Sequence, residues 1–426
     1  MDKAKKTLWL ILVFYSFNVG AVSYINNIKY KGNEVTQPSV LDREIYIEPG
    51  DELNERLIEK SRQAIMDTGL FRSVSYYLEE NYTDKNESAA SLVDIVFVVK
   101  EKYYLLIIPR LKIDDNEIHY GLQLKWDNVF GLNHETRIQA LNRGNTQGVD
   151  ETRHSFRYFY PNVNDSSYNL GFSVQRENNV DEIEEIGRFI DRQDDSFRVE
   201  VSRWLNERGR NRGYFVGSNV MYQKRFNHDL VIESNSEYLD AIILGLDVGF
   251  KDLNNYKYNR GGKEYGYKLD FSHEALSSES EFTKHRFYYR SYYRFADRPA
   301  SNLNVQVKFG HSNNQVLGED AFSLGSSNDL RGYEKKRFTG NTKFVTNVEY
   351  MFPHADHPVI RYVTFIDAGN TYDALSDVFH EALNIGAGFG LRWKIRVLVK
   401  IDLRADVGYG FTDEDYRFSF GTRHAF

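Results

Sequence analysis

Histidine and carboxylate side chains are the candidates for chemistry in this chain of 426 residues. His354 and His357 lie in a predicted turn with Asp356, a grouping from which a metal site could be built. The surrounding sequence favours an ordinary polar loop, so we expect no metal there. The chain has no cysteine, which excludes disulfides and thiolate metal sites.

The sequence motifs of common enzymes are absent. The chain has no G-x-S-x-G, no H-E-x-x-H and no glycine-rich phosphate loop. Adjacent acids such as Asp114-Asp115 and Asp194-Asp195 are typical of solvated loop ends. The formal net charge of -7 gives no reason to expect nucleic-acid binding. We therefore expect a protein that is not an enzyme and needs no cofactor.

The composition combines many aromatic residues with a polar average. Aromatic residues make up 15% of the chain, yet the mean hydropathy is -0.56, too polar for a bundle of membrane helices. After residue 20 no apolar run reaches the length of about 18 residues that a spanning helix needs. A membrane β-barrel fits both observations, because half of each strand faces lipid and half faces a wet lumen. Composition alone leaves a soluble β-rich protein equally open.

Residues 1–23 have the three-part pattern of a secretory signal peptide. Lysines come first, an apolar stretch over 8–17 follows, and small residues precede the predicted cleavage site. The apolar stretch, of about 10 residues, is too short to span a membrane as a helix. Cleavage after Ala21 and cleavage after Ser23 both remain open. We expect the protein to be exported.

Residues 24–102 carry the pattern of a small α/β domain. The predicted elements are a strand over 24–30, a helix over 39–47, a helix between Asn54 and Gly69, and strands over 71–78 and 92–99. Asn54 can cap the second helix, and Gly69 can end it. These elements are enough to build one sheet covered by two helices.

Three motifs of this domain resemble those of a POTRA domain, the periplasmic module of polypeptide transport. They occupy 28–33, 67–74 and 93–99, with Gly32, Asn33, Gly69, Leu70 and Phe71 at the motif positions. The resemblance implies a periplasmic domain whose exposed sheet edge can add a strand from a client, a chaperone or an accessory protein. An unrelated small α/β domain is the alternative.

From residue 103 to residue 426 apolar and polar residues alternate with a period of two. Ile118, Tyr120 and Leu122 share one face, and polar residues occupy the other. The alternating segments reach the length of about 9–11 residues that spanning strands need, against about 5–6 for an average soluble strand. Charges at strand centres on the polar face fit a water-filled lumen. The pattern predicts an all-β transmembrane barrel of antiparallel strands behind the small domain.

The alternation divides into about 16 predicted strands, an even number of the kind that single-chain bacterial barrels have. They lie near 104–112, 118–127, 133–142, 153–161, 167–176, 194–205, 213–224, 241–251, 265–275, 284–295, 301–310, 342–352, 359–368, 385–394, 397–410 and 416–426. Residues 228–238 leave room for one more. The polar segments 177–195 and 254–264 are expected to be long outer loops.

Four motifs in order give the barrel its resemblance to a known family. They occupy 325–334, 347–353, 365–370 and 386–393, and the turn 127–131 belongs to the same series. The series resembles the BamA/TamA superfamily of outer-membrane assembly and translocation barrels, also known as the bacterial surface antigen family. The resemblance implies a short member of the family with one POTRA domain. It marks Asn128, Gly131, Glu349, Gly369 and Gly388 as motif residues of the barrel.

The resemblance also implies that a long loop near 311–341 folds back into the lumen. Its Arg-Gly-aromatic tip, Arg331-Gly332-Tyr333, is then expected to dock on the inner wall, with Arg331 paired to Asp367. A guanidinium and a carboxylate can pair with bidentate geometry in such a confined polar space. An ordinary outer loop is the alternative.

The final segment resembles the terminal strand of an outer-membrane barrel. Tyr416, Phe418, Phe420 and Phe426 share one parity, although Thr422 and His424 share it too. The family resemblance implies that this strand and the first strand form a weak seam, where a client strand pairs with the exposed edge. The sequence does not show the seam, and residues 103–108 are apolar on both faces.

The predicted function is therefore insertion, assembly or translocation of polypeptides at the bacterial outer membrane, without nucleotide. The expected partners are outer-membrane lipid and polypeptide clients, with no nucleic acid. A polypeptide-secreting pore of the two-partner-secretion type is the first alternative. A passive or lipid-handling channel is the second. The client itself is not identifiable from the residues.

Overall fold

The computed structural model describes residues 23–81, 91–114, 117–145, 151–183, 188–206, 208–229, 236–256, 258–326, 329–395 and 402–421. The predicted signal peptide, apart from its last residue, and Phe426 lie outside the described residues. Within this part of the chain, no helix is both long and apolar enough to cross a membrane.

The N-terminal domain is a three-stranded sheet covered by two helices. Its elements are β1 (Tyr24–Lys31), α1 (Pro38–Asp42), α2 (Glu55–Asp67), β2 (Phe71–Asn81) and β3 (Leu92–Glu101). The strand order is β1-β3-β2, with β1 parallel and β2 antiparallel to β3. The predicted order of strand, helix, helix, strand, strand is therefore present.

The two helices differ in how well the sequence predicted them. In α2 the Asn54 side chain accepts the Leu57 N–H at 3.3 Å, and Ile58 and Ile65 are buried on one face. The predicted helix 39–47 is wrong in length, because α1 ends at Asp42. Ile45 and Ile47 are both buried, and a spacing of two residues puts both side chains on one side of an extended chain, not of a helix.

Sixteen antiparallel strands form the nearly closed barrel, so the predicted fold class is confirmed. These strands are β4 (Leu105–Asp114), β5 (Glu117–Val129), β6 (His134–Asn145), β7 (Glu151–Tyr160), β8 (Tyr168–Ile183), β9 (Arg188–Trp204), β10 (Gly213–Asp229), β11 (Ser236–Asn255), β12 (Arg260–Ser272), β13 (Phe282–Arg294), β14 (Asn302–Ser312), β17 (Thr342–Pro353), β18 (Ile360–Tyr372), β19 (Asn384–Lys394), β20 (Asp402–Gly410) and β21 (Asp415–Gly421). Two short strands, β15 (Phe322–Leu324) and β16 (Phe338–Gly340), pair inside the loop between β14 and β17.

The two faces of the strands follow the predicted alternation. Ile118 and Leu122 are exposed on the outer surface, whereas Gln123 and Lys125 are buried on the lumen side. The ambiguous first strand is now assigned, because Leu105 and Ile107 are exposed on the outside. An outer surface of this kind suits contact with lipid.

Two predicted outer loops are wrong. Segment 177–195 is mostly strand, because β8 and β9 continue to Ile183 and from Arg188. Above a membrane both strand faces meet water, so the apolar signal disappears while the backbone ladder continues. There, cross-strand ion pairs such as Arg176–Asp195 (2.6 Å) take the place of the alternating apolar side chains.

Segment 254–264 is a short turn, because β11 ends at Asn255 and β12 begins at Arg260. Asn255 contacts Asp67 of the N-terminal domain at 2.6 Å, which places this turn at the periplasmic end. The possible extra strand over 228–238 is also wrong, since the described residues there belong to the ends of β10 and β11.

Candidate functional site

The long loop, residues 313–341, folds back into the lumen and contacts two parts of the wall. Near its start, Leu317 is buried with Ala241, Ile243 and Phe282 of the wall. Arg225 of β10 donates to the Leu317 carbonyl at 2.9 Å. Further along, the loop contacts β17 to β20. The loop therefore bridges the extracellular side of the lumen, with an anchor at each end.

The second anchor is Arg331, which the structure brings to Asp367 on β18. The guanidinium donates from Nε and Nη2 to the two carboxylate oxygens, at 2.6 Å each, and the Arg331 backbone N–H adds a third bond at 3.1 Å. A further guanidinium nitrogen contacts Glu349. Arg331 also lies over the Phe365 ring, 3.5 Å from its centroid. All four side chains are buried.

The ion pair continues into a charge network along the wall. Glu349 accepts from Arg392 at 3.0 Å, and Arg392 donates to Asp406 at 2.5 Å. Arg404 donates to the other oxygen of Asp406 at 2.9 Å. Three arginines thus face three carboxylates, so the buried charges balance. Breaking one pair in such a network leaves an uncompensated charge, which is far more costly than breaking a surface pair.

Gly332 lets the loop tip lie directly on the wall. Its φ of +96° is a left-handed conformation that favours glycine, and an added Cβ would be 2.6 Å from the backbone of Tyr409 and Gly410. On the wall, a Cβ at Gly386 would be 2.0 Å from the Arg331 carbonyl oxygen. Glycines on both surfaces therefore bring the two backbones into contact.

Tyr333 fills the space next to this contact. Its ring packs edge-on against Phe338, and its hydroxyl donates to the Ile385 carbonyl at 2.7 Å. The same hydroxyl accepts the Thr412 N–H at 3.1 Å. Tyr333 is 2% exposed, and its buried hydroxyl both donates and accepts a hydrogen bond.

Asp329 forms a further anchor of the loop that sequence reasoning missed. Its carboxylate lies between Lys308 of β14 and Lys343 of β17, at 2.8 and 2.9 Å. Both lysines are on the lumen face, and the signal available in the sequence was an acid two residues before Arg331 in the loop motif. Asn347 joins the two anchors by donating to the Asp329 carbonyl at 2.6 Å and to Asp367 at 2.8 Å.

The seam is the junction between β4 and β21. Within the described residues the two strands share two register pairs, Ser419 with Asp114 and Phe420 with Ile113. Residues 415–418 of β21 pair with β20. Tyr416 and Phe418, which share one parity, are exposed on the outer surface. Phe426, the predicted end of this strand, lies outside the described residues.

Asn128 and Gly131 join the barrel to the N-terminal domain. Asn128 donates to the Thr36 hydroxyl at 2.9 Å, and Gln37 donates its backbone N–H to the Gly131 carbonyl at 2.9 Å. Gly131 has a φ of +75°, and a Cβ there would be 2.1 Å from the Val35 carbonyl oxygen. The turn between β5 and β6 is therefore shaped to receive the β1–α1 connection.

An arginine-rich turn, residues 205–212, holds the other side of the N-terminal domain. Arg208 and Arg210 donate to the Ile45 carbonyl. Arg212 contacts Asp67 at 2.9 Å. Tyr46 stacks under Arg210, whose guanidinium carbon is 3.9 Å from the ring centroid. The domain thus lies across the periplasmic mouth, from the β5–β6 turn to the turns beneath β9 to β12.

Two acids at this interface are buried. Burial raises the pKa of Glu44 to about 7, against the opposing effect of Arg43 and Arg210. Burial likewise raises the pKa of Asp67 to about 6, although Asn255 and Gln63 donate hydrogen bonds to it. Both groups therefore carry less charge at mildly acidic pH than exposed acids do.

The remaining predicted motif residues lie at turns, in the core of the N-terminal domain or in strands of the barrel. Gly32 ends β1 and Asn33 donates to the Thr36 carbonyl at 3.1 Å, while Gly69 ends α2 before the buried pair Leu70 and Phe71. Gly369 and Gly388 lie in β18 and β19, where an added Cβ would approach backbone oxygens at 2.7 and 2.0 Å.

A cavity of about 820 Å³ occupies the periplasmic half of the lumen. Its lining includes Glu44 and Asp67 from the N-terminal domain and charged wall residues of both signs, among them Arg157, Glu200 and Arg286. No cluster of three or more potential metal ligands occurs within the described ranges. His354 and His357 stack on each other in a periplasmic turn.

Family models match both parts of the chain. Residues 128–426 match the Omp85 superfamily domain, and residues 23–102 match a POTRA model described as the surface antigen variable number repeat. Among curated proteins, the outer membrane protein assembly factor BamA of Buchnera aphidicola is 27% identical over 181 residues. That match covers 40% of this chain and 28% of the length of the curated protein.

Solved structures share the fold at low sequence identity. BamA from Haemophilus ducreyi, lacking POTRA domains 1–3, aligns over 94% of this chain and 84% of its own, with a TM-score of 0.57 and 16% identity. CdiB from Acinetobacter baumannii aligns over 94% and 74%, with a TM-score of 0.63 and 13% identity. CdiB from Escherichia coli aligns over 94% of this chain and 76% of its own, with a TM-score of 0.63 and 13% identity.

Proposed function

The chain belongs to the Omp85 superfamily, as an outer-membrane barrel with a periplasmic POTRA domain, and from that premise we propose that it inserts or assembles polypeptides at the seam. The observation that carries the proposal is that the first and last strands of the barrel, β4 and β21, meet at one junction although they lie at opposite ends of the barrel sequence. If these two strands separate, each exposes an edge that can accept another strand by backbone hydrogen bonding.

The elements that lie across the two ends of the lumen support a lateral route. The long loop bridges the extracellular side, and the POTRA domain lies across the periplasmic mouth. A client that pairs at the seam needs neither end to open. Burial of its backbone and apolar surface in the membrane supplies the driving force, so no nucleotide is required. We also infer that the chain has no catalytic activity, in keeping with its family.

A disulfide across the seam tests this proposal in a chain that has no cysteine of its own. The variant Phe420→Cys/Ile113→Cys joins directly paired residues of β21 and β4. The matched control, Val199→Cys/Val220→Cys, joins directly paired, exposed residues of β9 and β10. Each oxidised protein is placed in liposomes with an unfolded outer-membrane barrel as the client, and the rate of client insertion is measured.

We expect the seam disulfide to lower the insertion rate at least about tenfold, because the strands then cannot separate on the timescale of insertion. Reduction should restore the rate, and the control disulfide should leave it unchanged. Equal insertion with a closed and an open seam would overturn the proposal.

A polypeptide-secreting pore is the second candidate, and the lumen cavity of about 820 Å³ favours it. In that case the long loop must leave the lumen. Planar-bilayer conductance separates the two functions: Arg331→Ala should raise the conductance of a secreting pore, and a seam disulfide should leave secretion intact. A passive channel would instead show a steady conductance that Arg331→Ala does not change.

The POTRA sheet edge is the proposed site for accessory proteins or clients. Strand β2 lies at the edge of the sheet, where Tyr77 and Leu78 are exposed. A photo-crosslinking residue at Tyr77 should capture such a partner, whereas the same residue at the exposed Arg56 of α2 should not. Equal capture at both positions would exclude the edge as a specific site.

A further inference from the structure

The last hairpin, residues 402–421, receives contacts from the segment of the long loop that follows the Arg331 lock. Arg337 forms a bidentate ion pair with Asp413, through Nε to Oδ2 and Nη2 to Oδ1, both at 3.1 Å. Glu334 pairs with Arg417 at 3.1 Å. Tyr333 accepts the Thr412 N–H at 3.1 Å. Three neighbouring loop residues therefore hold the turn and the first half of β21.

These contacts lie at the turn-side end of β21. Its described register with β4 consists of the pairs at Ser419 and Phe420, at the far end of the strand from Asp413. Residues 415–418, which lie between the pairs and the turn, are paired with β20. The loop segment thus contacts the end of β21 that is farther from its described pairs with β4.

The contacts differ in strength in a way that suits release. Tyr333 is buried, whereas the side chains of Arg337 and Glu334 are 48% and 57% exposed. Exposed ion pairs contribute little individually and weaken with salt. The buried lock at Arg331 can therefore stay closed while the two exposed pairs open.

We propose that Tyr333, Glu334 and Arg337 form a clasp that positions β21, and that opening of this clasp frees the strand at the seam. This inference rests on the proposed function in one respect, namely that the seam is where clients enter. Tyr333, Glu334 and Arg337 act through β21, so they are positioning residues.

The equilibrium between closed and open seam measures the clasp directly. The full chain carrying Phe420→Cys/Ile113→Cys is equilibrated in lipid bilayers with a glutathione redox buffer, and the disulfide yield gives the effective concentration of one thiol at the other. Arg337→Glu should lower this effective concentration about threefold, a size that an exposed ion pair can account for. Adding Asp413→Arg should restore it, because the pair is re-formed with reversed charges.

Arg176→Glu provides the matched control, since Arg176 forms an exposed ion pair with Asp195 on β8 and β9. It should leave the seam disulfide yield unchanged. Tyr333→Phe keeps the ring and loses the hydroxyl, so it should lower the yield without unfolding the loop. If the yield of the seam disulfide is unchanged in both Arg337→Glu and Tyr333→Phe, the proposal of a clasp is overturned.

Client insertion by the same variants, without the cysteines, separates this inference from the proposed function. A looser seam with unchanged insertion would support the clasp and contradict insertion at the seam. An unchanged seam in variants that still insert clients would overturn the clasp and leave the proposed function standing.

Discussion

The two halves of the barrel wall are built differently. In the far half, β10 and β11 have 17 and 20 residues, and their register continues without a break from Gly213 opposite Lys251 to His228 opposite Ser236. In the seam half, the described pairs between β21 and β4 are Ser419 with Asp114 and Phe420 with Ile113, and the long loop adds side-chain contacts to the turn at the other end of β21. Continuous backbone pairing therefore joins β10 to β11, whereas side-chain contacts from a distant loop add to the pairing at the seam.

The two extra elements of the molecule each contact both halves. The POTRA domain is held by the arginine-rich turn and Asn255 beneath the far half, and by the β5–β6 turn near the seam. The long loop is anchored at Leu317 in the far half, and its tip docks on the inner face of β17 to β20. The tip therefore adds contacts beside the junction that we propose to open.

The largest effect is expected from Arg331→Ala, in the seam half. Removing the guanidinium leaves Asp367 and Glu349 buried without their partner, a loss of about 3–5 kcal/mol. We expect the long loop to leave the wall, which limited proteolysis within 313–341 in intact outer membranes would detect. Arg225→Ala, at the far anchor of the loop, should have a smaller effect, because its partners Asp194 and Glu319 are partly exposed. Equal effects would contradict the comparison.

The docking of the POTRA domain beneath the far half should weaken as pH rises. The pKa of Glu44 is about 7 in the docked domain, against an ordinary value of 4.5 that we expect after undocking. The docked state then binds the proton more tightly, so docking is strongest below about pH 4.5 and weakens as pH rises through about 7, by about 3 kcal/mol in total. Asp67 adds an effect in the same direction.

Fluorescence energy transfer between dyes on cysteines placed at Tyr77 and His357 would measure this docking from pH 5 to pH 8. Glu44→Gln removes the titrating group while keeping its size, so it should flatten the pH dependence. If the energy transfer of Glu44→Gln depends on pH as strongly as that of the unchanged protein, groups other than Glu44 cause the effect.

Thr36→Val should weaken the connection between the POTRA domain and the β5–β6 turn. The Thr36 hydroxyl donates to Glu101 at 2.5 Å and accepts from Asn128 at 2.9 Å, in a buried position. Valine has the same shape but leaves both partners short of a hydrogen bond, at a cost of about 1–2 kcal/mol. Thermal unfolding of the full chain would measure the loss. Thr36→Ser, which keeps the hydroxyl, should recover most of it.

The smallest effect is expected from Arg176→Ala, on the outer surface of the far half. Its ion pair with Asp195 is exposed, and such pairs contribute at most about 1 kcal/mol. Since the backbone ladder of β8 and β9 is unbroken, the unfolding temperature should hardly change. A loss as large as that of Thr36→Val would show that side chains, and not the ladder, hold this half.

The residues of the candidate site were predictable to different degrees. Arg331 and Asp367 were found because both lie within short motifs of the family. Lys308 and Lys343 were missed, since each is one of many lumen-facing charges and nothing in the local sequence shows that Asp329 reaches both. Thr36 was missed for the same reason, because its partners Glu101 and Asn128 are distant in the chain.

The sequence by itself determined the barrel, the approximate number of its strands and the small domain in front. These features depend on local periodicity, since lipid on one face and water on the other impose alternation on every strand that crosses the membrane. Where β8 and β9 rise above the membrane, that constraint ends, and the prediction failed there. The tertiary structure alone decided how β21 meets β4, where the long loop is held and how the POTRA domain docks. Each depends on contacts between segments far apart in the chain, as between Arg337 and Asp413, which no local pattern records.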